Sequence, residues 1–309
     1  MTTSRTLSYC LHASTAIACA LLLASPASAA EHTLMPSPQT VHIGYFLSTV
    51  KPVLSIDSGD IVTLESAATI VPSVIDESGV VPASSVPQYQ RDIFGQVKDR
   101  GPGPHILTGP IEIKGAMPGD VLEVRILDIQ LALDWGFNRQ RSYTGVLPDE
   151  FTALWTRIIP INRQAKTAEV AKGVVVPVDK PFFGTMGLAP DASMGRISSG
   201  PPGVHTGNID NKDIIAGTTL FMPVHTAGAL FSAGDAHAAQ GHGEVDLTAI
   251  ETGLRGRFQF IVRKDMKLTW PRAETATHWI VMGLHPNLEE AMKIATRETI
   301  DSSPSVFRT

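Results

Sequence analysis

The sequence predicts a mostly β (α+β) fold, and three observations carry that expectation. β-Branched runs leave Gly-Asp turns, loops rich in Pro, Ser, Gly and Asp separate the runs, and clear helical spacing with a capping residue comes only near the C-terminus. With 309 residues, 43% of them hydrophobic and 18% charged, the chain holds enough apolar material for one large β-rich domain or two smaller ones.

Taken in order, the N-terminus reads as a targeting segment. Arg5 precedes a short apolar run, Ala16–Ala24, and Ala27-Ser28-Ala29 offers a small-x-small cleavage signal. Residues 1–29 are therefore expected to be a signal peptide, with cleavage near Ala29 or Ala30, and 31–309 the mature domain, periplasmic or secreted. The apolar run is too short to span a bilayer comfortably and no later stretch qualifies, so no membrane partner is expected after cleavage. Cleavage would remove both cysteines, Cys10 and Cys19. That excludes thiol nucleophiles, thiolate metal sites and disulfides from the mature chain. A net charge of −5, which loss of Arg5 makes more negative, offers no basic face for nucleic acid.

From Thr40 to Ser66 the pattern is strand, the turn Asp57-Ser58-Gly59-Asp60, then strand. GPIEIKGA, Met117-Pro118-Gly119-Asp120 and VLEVRILDIQL echo it. Thr69–Pro104 lacks periodicity and reads as long loops. Thr167–Pro177 and Thr218–Val224 read as strands, and Asp191–Thr206 as a loop. Leu288, Ala291, Met292 and Ala295 are spaced as in a helix, with Asn287 as cap and Glu290 three residues on. Asp301–Thr309 is unpatterned. No Gly-rich phosphate loop follows a strand, so nucleotide-binding folds are not supported.

The chemistry concentrates between Val204 and Glu251, where imidazoles, carboxylates and carboxamides alternate with glycines and apolar runs. Asp235-Ala236-His237, if extended, places two metal donors on one side of a strand. His205, Asp210 and Glu244 are further candidate ligands, and such an oxygen and nitrogen set suits a divalent ion such as zinc. A turn hydrogen bond at Asp235 and a satisfied backbone carbonyl at His237 explain the same residues, and both readings stay open. Glu244, entering a strand from Gly241-His242-Gly243, has the character of a general base, or of a surface strand residue; Glu251 shares the ambiguity. Asn208 and Gln240 offer N–H groups to an oxyanion, or serve a turn and the solvent. No G-x-S-x-G elbow occurs, and Ser198-Ser199-Gly200 with Lys212 lacks the glycine-serine setting of serine–lysine amidases. His42, His105 and His278 read as structural.

Across this stretch the sequence resembles the acetamidase/formamidase family. The pieces that carry the resemblance are Gly207-Asn208-Ile209-Asp210-Asn211-Lys212-Asp213, AGTTLFMPV, GALFSAGDAHAAQGHGEV and TAIET. LTGPIEIKGAMPGDVLEV (Leu107–Val124), DWGFN (Asp134–Asn138), PFFGTMGLAP (Pro181–Pro190) and HWIVMGLHPNLEEAM (His278–Met292) extend it from about Thr40 to Ile300. The resemblance implies β-sandwich or barrel units with a few helices, a homo-oligomer, and hydrolysis of small linear amides to a carboxylate and ammonia. It places His205, Asn208, Asp210, Asp235, His237, Gln240 and Glu244 at the site. Asp210, Asp235 and His237 would hold a divalent metal, zinc by preference, that activates water; Glu244 would move protons and Asn208 would hold the oxyanion. Alternatives are hydrolysis of another small C–N compound, or an exported binding or scaffold protein that keeps the fold without catalysis. Two departures from the family's pattern make the latter credible. Leu47 stands where an acid usually follows Gly-aromatic-aromatic, and the chain ends soon after the helix that begins near Leu288, as a shortened C-terminus.

Overall fold

The structure is a computed structural model that describes residues 29–302. The expected signal peptide, apart from Ala29, lies outside the described residues, as does 303–309. Two large sheets face each other. The seven-stranded sheet runs in the order Glu31–Leu34, Ile61–Glu65, Leu254–Arg263, Val121–Leu131, Thr219–Pro223, Arg272–Glu274, Trp279–Val281. The eleven-stranded sheet is centred on Phe231–Ala239, flanked on one side by Phe182–Gly187 and Thr206–Asn208.

Alternation along the strands builds the core between them. Leu254–Arg263 turns Leu254, Phe258 and Phe260 inward and Arg255 outward. Phe258 meets Phe183 of the opposite sheet with ring centroids 5.4 Å apart, and Phe260 meets Phe231 at 5.0 Å, both edge-on. The mostly β expectation and the sandwich are met.

The two Gly-Asp turns are equivalent corners that carry the chain from one sheet to the other. Leu54–Ile56 and Ile106–Ile113 pair in parallel in the larger sheet, and Ile61–Glu65 and Val121–Leu131 continue in the smaller one. Each corner is locked by its aspartate, which accepts the N–H of the residue three before: Asp57 to Asp60 at 3.0 Å and Met117 to Asp120 at 2.8 Å. A buried aspartate at each corner is in turn paired, Asp60 with His32 and Asp120 with Lys264.

Phe231–Ala239 changes partner halfway along its length, and this positions the site. Phe231–Gly234 pairs with Leu107–Ile111, whereas Ala236–Ala239 pairs with Ile250–Thr252. Asp235 sits at the fork, with a φ of 54°.

One expectation is corrected at Thr69–Pro104. Helices form at Pro72–Ser78 and Gln88–Gln96, with a 3-10 turn at Ala83–Ser85 between them. The prolines that read as loop signals start the helices instead: Pro72 occupies the first turn and Pro87 the N-cap, where no N–H is needed. Gly79 ends the first helix at φ 62°, Ile75 and Ile93 are fully buried, and Arg91 clamps Asp76 through two bonds of 2.7 and 2.8 Å. The C-terminal helix spans Leu288–Ser302, so Asp301 and Ser302 belong to it rather than to the tail. Asn287 Oδ1 accepts from Glu290 N at 3.1 Å, the expected cap. Among the described residues no helix is long and apolar enough to cross a membrane.

Candidate active site

At the fork, Asp235 and His237 project to one side of their strand as the two-residue spacing requires, with His237 Nε2 3.6 Å from Asp235 Oδ2. Register places Glu251 directly across from His237, and its Oε1 lies 3.2 Å from the same nitrogen. Glu244 Oε1 approaches to 3.8 Å. Asp210 enters behind Thr206–Asn208, its N–H held by Gly184 O at 3.2 Å. Gly184 makes this convergence possible: a Cβ there would fall on Asp210 Oδ1 and within 2.8 Å of both Asp235 Oδ2 and His237 Cε1.

The backbone is bent to serve this arrangement. Asp210, Asp235 and Glu244 take φ values of 42°, 54° and 44°, left-handed conformations that non-glycine residues rarely adopt. For Glu244 this corrects the strand expectation. With Leu247 also at φ 67°, the chain stays in turns after Gly243 and becomes a strand only at Ile250.

Hydrogen bonds orient the His237 ring and locate its Nδ1 proton. Gln240 donates from Nε2 to Asp210 O at 2.9 Å, so its Oε1 faces His237 Nδ1 at 2.8 Å and must accept. Nδ1 therefore carries a proton, and Nε2 faces the carboxylates; burial opposes the ring's charge, but Glu251 and Asp235 raise the imidazole well above its ordinary value. Asn208 braces Asp210, donating from Nδ2 to Oδ2 at 2.5 Å while its Oδ1 accepts from Thr185 at 2.6 Å.

His205 stands apart from this cluster. It is buried against Phe46 at 5.0 Å between centroids, and burial, with the His225 charge, lowers it to about 4. Leu47 follows Phe46 in a turn, half-buried, its carbonyl accepting from Val50 N at 3.3 Å.

Sequence reasoning missed two members. Glu251 keeps both of its readings in the sequence, because what brings it to His237 is the pairing of Ile250–Thr252 with Phe231–Ala239. His105 gave no local signal. It precedes Ile106–Ile113, its Nδ1 donates to Ser199 O at 3.0 Å, and its Nε2 lies 3.5 Å from Asp235 Oδ2. Ser199 thus orients a histidine, consistent with the missing serine–lysine signature.

The charges act on one another strongly. Burial raises the Glu244 carboxyl to about 9, with Asp210 the largest charge contribution, and raises Asp210 to about 7, with Asp235 behind it. Burial also raises Glu251. Asp235 goes the other way: burial opposes its charge, but His105 and His237 together hold it below the usual carboxylate range.

Two overlapping sets could hold a metal ion, Asp210–His237–Glu244 and Asp235–His237–Glu251. Within each, candidate ligand atoms lie within 4.8 Å of one another. His237 Nε2 and Asp210 Oδ1 are buried without hydrogen-bond partners, and a cation that displaced the Nε2 proton would satisfy both. A nitrogen lone pair among carboxylates is the donor set that a divalent cation such as zinc satisfies. A cavity of about 260 Å³ opens on Asp235, Glu251 and His105. A second, of about 550 Å³, reaches Glu244 and Gln240.

Fold and site together define a two-sheet β protein with a buried carboxylate–histidine centre at a strand fork. Comparison with known proteins gives that class a family. The pattern of the Acetamidase/Formamidase family matches residues 102–199 and 197–274, and the chain belongs to this family. It is 29% identical over 222 residues to an acetamidase of Mycolicibacterium smegmatis, covering 52% of this chain and 54% of that one. A formamidase of Methylophilus methylotrophus is 29% identical over 191 residues, with coverage of 46% and 47%. The chain thus spans about half the length of the curated relatives it matches. A recombinant predicted acetamidase/formamidase from the thermophile Thermoanaerobacter tengcongensis superposes with a TM-score of 0.75 at 28% identity, covering 89% of this chain and 84% of that one.

Proposed function

We propose that this protein hydrolyses the C–N bond of small linear amides to a carboxylate and ammonia. The observation that carries the reading is the convergence of Asp210, Asp235, Glu244 and Glu251 on His237 Nε2 beside a cavity, in a chain of this family. We assign Asp210, Asp235 and His237 to holding a divalent metal, zinc by preference, with Glu251 within reach of the same nitrogen. When bound, such an ion supplies Lewis acidity toward a carbonyl oxygen and makes water acidic enough to act as a nucleophile.

The chain's own groups do the rest. Gln240 accepts from His237 Nδ1 and so turns Nε2 toward the carboxylates, and Asn208 holds Asp210 in place. Glu244, raised by burial and by the neighbouring Asp210 and close to His237, is the group we assign to proton transfer toward the leaving nitrogen. The low dielectric of the buried floor strengthens each of these interactions. The proposal extends to export of the mature chain, periplasmic or secreted, and to a homo-oligomer, for which exposed Tyr143, Leu147, Phe151 and Leu154 offer apolar surface.

The test is ammonia release from formamide and acetamide by the purified protein, with and without added zinc. Release that depends on zinc supports the reading. A folded protein that releases none under any metal condition sinks it and favours a binding protein that keeps the fold.

A further inference from the structure

The cavity that meets Asp235 and Glu251 carries the opposite charge on its walls. Arg100, Arg139 and Arg141 line it. Elsewhere arginines such as Arg91, Arg196, Arg255 and Arg263 are each paired with a carboxylate. The three at the cavity are not, among the described residues. Arg139 Nε donates to Thr156 Oγ1 at 3.0 Å. Arg100 donates to the carbonyls of Val97 and Phe94 at 3.4 and 3.5 Å and lies over the Phe94 ring.

Arg139 lies in the strand Trp135–Gln140 and Arg141 just past its end, and both line the cavity. They are close enough to repel: burial first, and then the Arg141 charge, pull the Arg139 guanidinium below its ordinary value. Like charges beside a partly desolvated cavity are unfavourable unless an anion lies between them. A planar guanidinium fork matches a carboxylate in particular.

Neither formamide nor acetamide has any use for such walls, being neutral. Size points the same way. At roughly 30 Å³ for a water-sized group, a cavity of about 260 Å³ takes about twice what acetamide fills.

Resting on the amidase reading, we propose that the preferred substrate is the half-amide of a short dicarboxylic acid. Its amide lies over the Asp235 and Glu251 floor, its carboxylate is bound by Arg139 and Arg141, and Arg100 stands beside them.

Two measurements test this and separate it from the reading beneath it. The first compares kcat/KM for succinamate with that for butyramide, a neutral amide of the same length, in the wild type, R139Q, R141Q and R139K. The second follows the thermal shift given by succinate, the product, against an equal concentration of sodium chloride. Succinamate should be favoured at least tenfold, and R139Q or R141Q should raise its KM by about tenfold to a hundredfold, as losing a charge-assisted hydrogen bond requires. R139K should recover part of that loss, and the succinate shift should vanish in R139Q. Butyramide turned over as well as succinamate, with no succinate shift, overturns this inference and leaves the amidase reading standing. No ammonia from either amide, with succinate still binding through Arg139, sustains the anionic subsite and overturns the amidase reading instead.

Discussion

Gly184→Ala probes the centre with one methyl group. The glycine backbone lies outside the left-handed region, so alanine is admissible there on conformational grounds. Its Cβ is not admissible on contact grounds. It would lie 2.8 Å from Asp235 Oδ2 and His237 Cε1, and closer still to Asp210 Oδ1. To reach the roughly 3.5 Å of an unstrained contact, Asp235 and His237 must each retreat by about 0.7 Å and Asp210 Oδ1 by about 1.1 Å. Overpacking of this kind costs about 1–3 kcal/mol, small beside the stability of a domain this size. A displacement near 1 Å at a reacting centre costs about a hundredfold in rate. Gly184→Ala should therefore stay folded by urea denaturation, retain less zinc on metal analysis, and release ammonia from acetamide about a hundredfold more slowly. Gly95→Ala is the control, since nothing lies within 4 Å of its added Cβ and it sits in the helix Gln88–Gln96. It should be neutral to stabilising by about 0.5–1 kcal/mol. Wild-type turnover and metal content in Gly184→Ala would refute the assignment of this cradle as the reacting centre.

Gln240→Leu removes the acceptor for His237 Nδ1 and should cost about tenfold to a hundredfold in zinc affinity at nearly unchanged stability; a zinc titration that overlays the wild type contradicts this. Burial, with a smaller push from Arg196, holds His42 down at about 4 against its ordinary 6.5. Its stability contribution is therefore full above pH 6.5 and is lost as pH falls through about 4. At about 1.4 kcal/mol per pH unit the gap is worth about 3 kcal/mol. His42→Gln should flatten the fall in urea-unfolding free energy over that window by this amount, and an unchanged slope argues against it. Phe258→Ala, which empties the contact with Phe183, Phe231 and Phe260 between the sheets, should cost about 3–5 kcal/mol in urea; a loss below 1 kcal/mol would mean the sheets do not pack through it.

What the sequence made legible was local. The Gly-Asp corners could be read because Asp60 and Asp120 bond within their own turns, and the Leu288 helix because Asn287 caps it three residues away. Asp235 and His237 could be read as a pair because a strand repeats every two residues. Glu251 and His105 reach the same atoms through strand pairings over long separations, and nothing in their neighbours announces the fork at Asp235. The helices Pro72–Ser78 and Gln88–Gln96 are too short to show periodicity. The turns at Glu244 and Leu247 use left-handed backbone without glycine, which leaves no mark in the composition. The unpaired arginines are a tertiary property, visible only once their neighbours are in place.

The most direct test of the account is ammonia release by zinc-loaded wild-type protein and Asp235→Asn side by side, each verified as folded. Asp235 sits at the fork, touches both histidines of the centre and belongs to one of the two ligand sets. The account predicts turnover in the wild type and a loss of at least a hundredfold in Asp235→Asn. Equal turnover in the two proteins would contradict it.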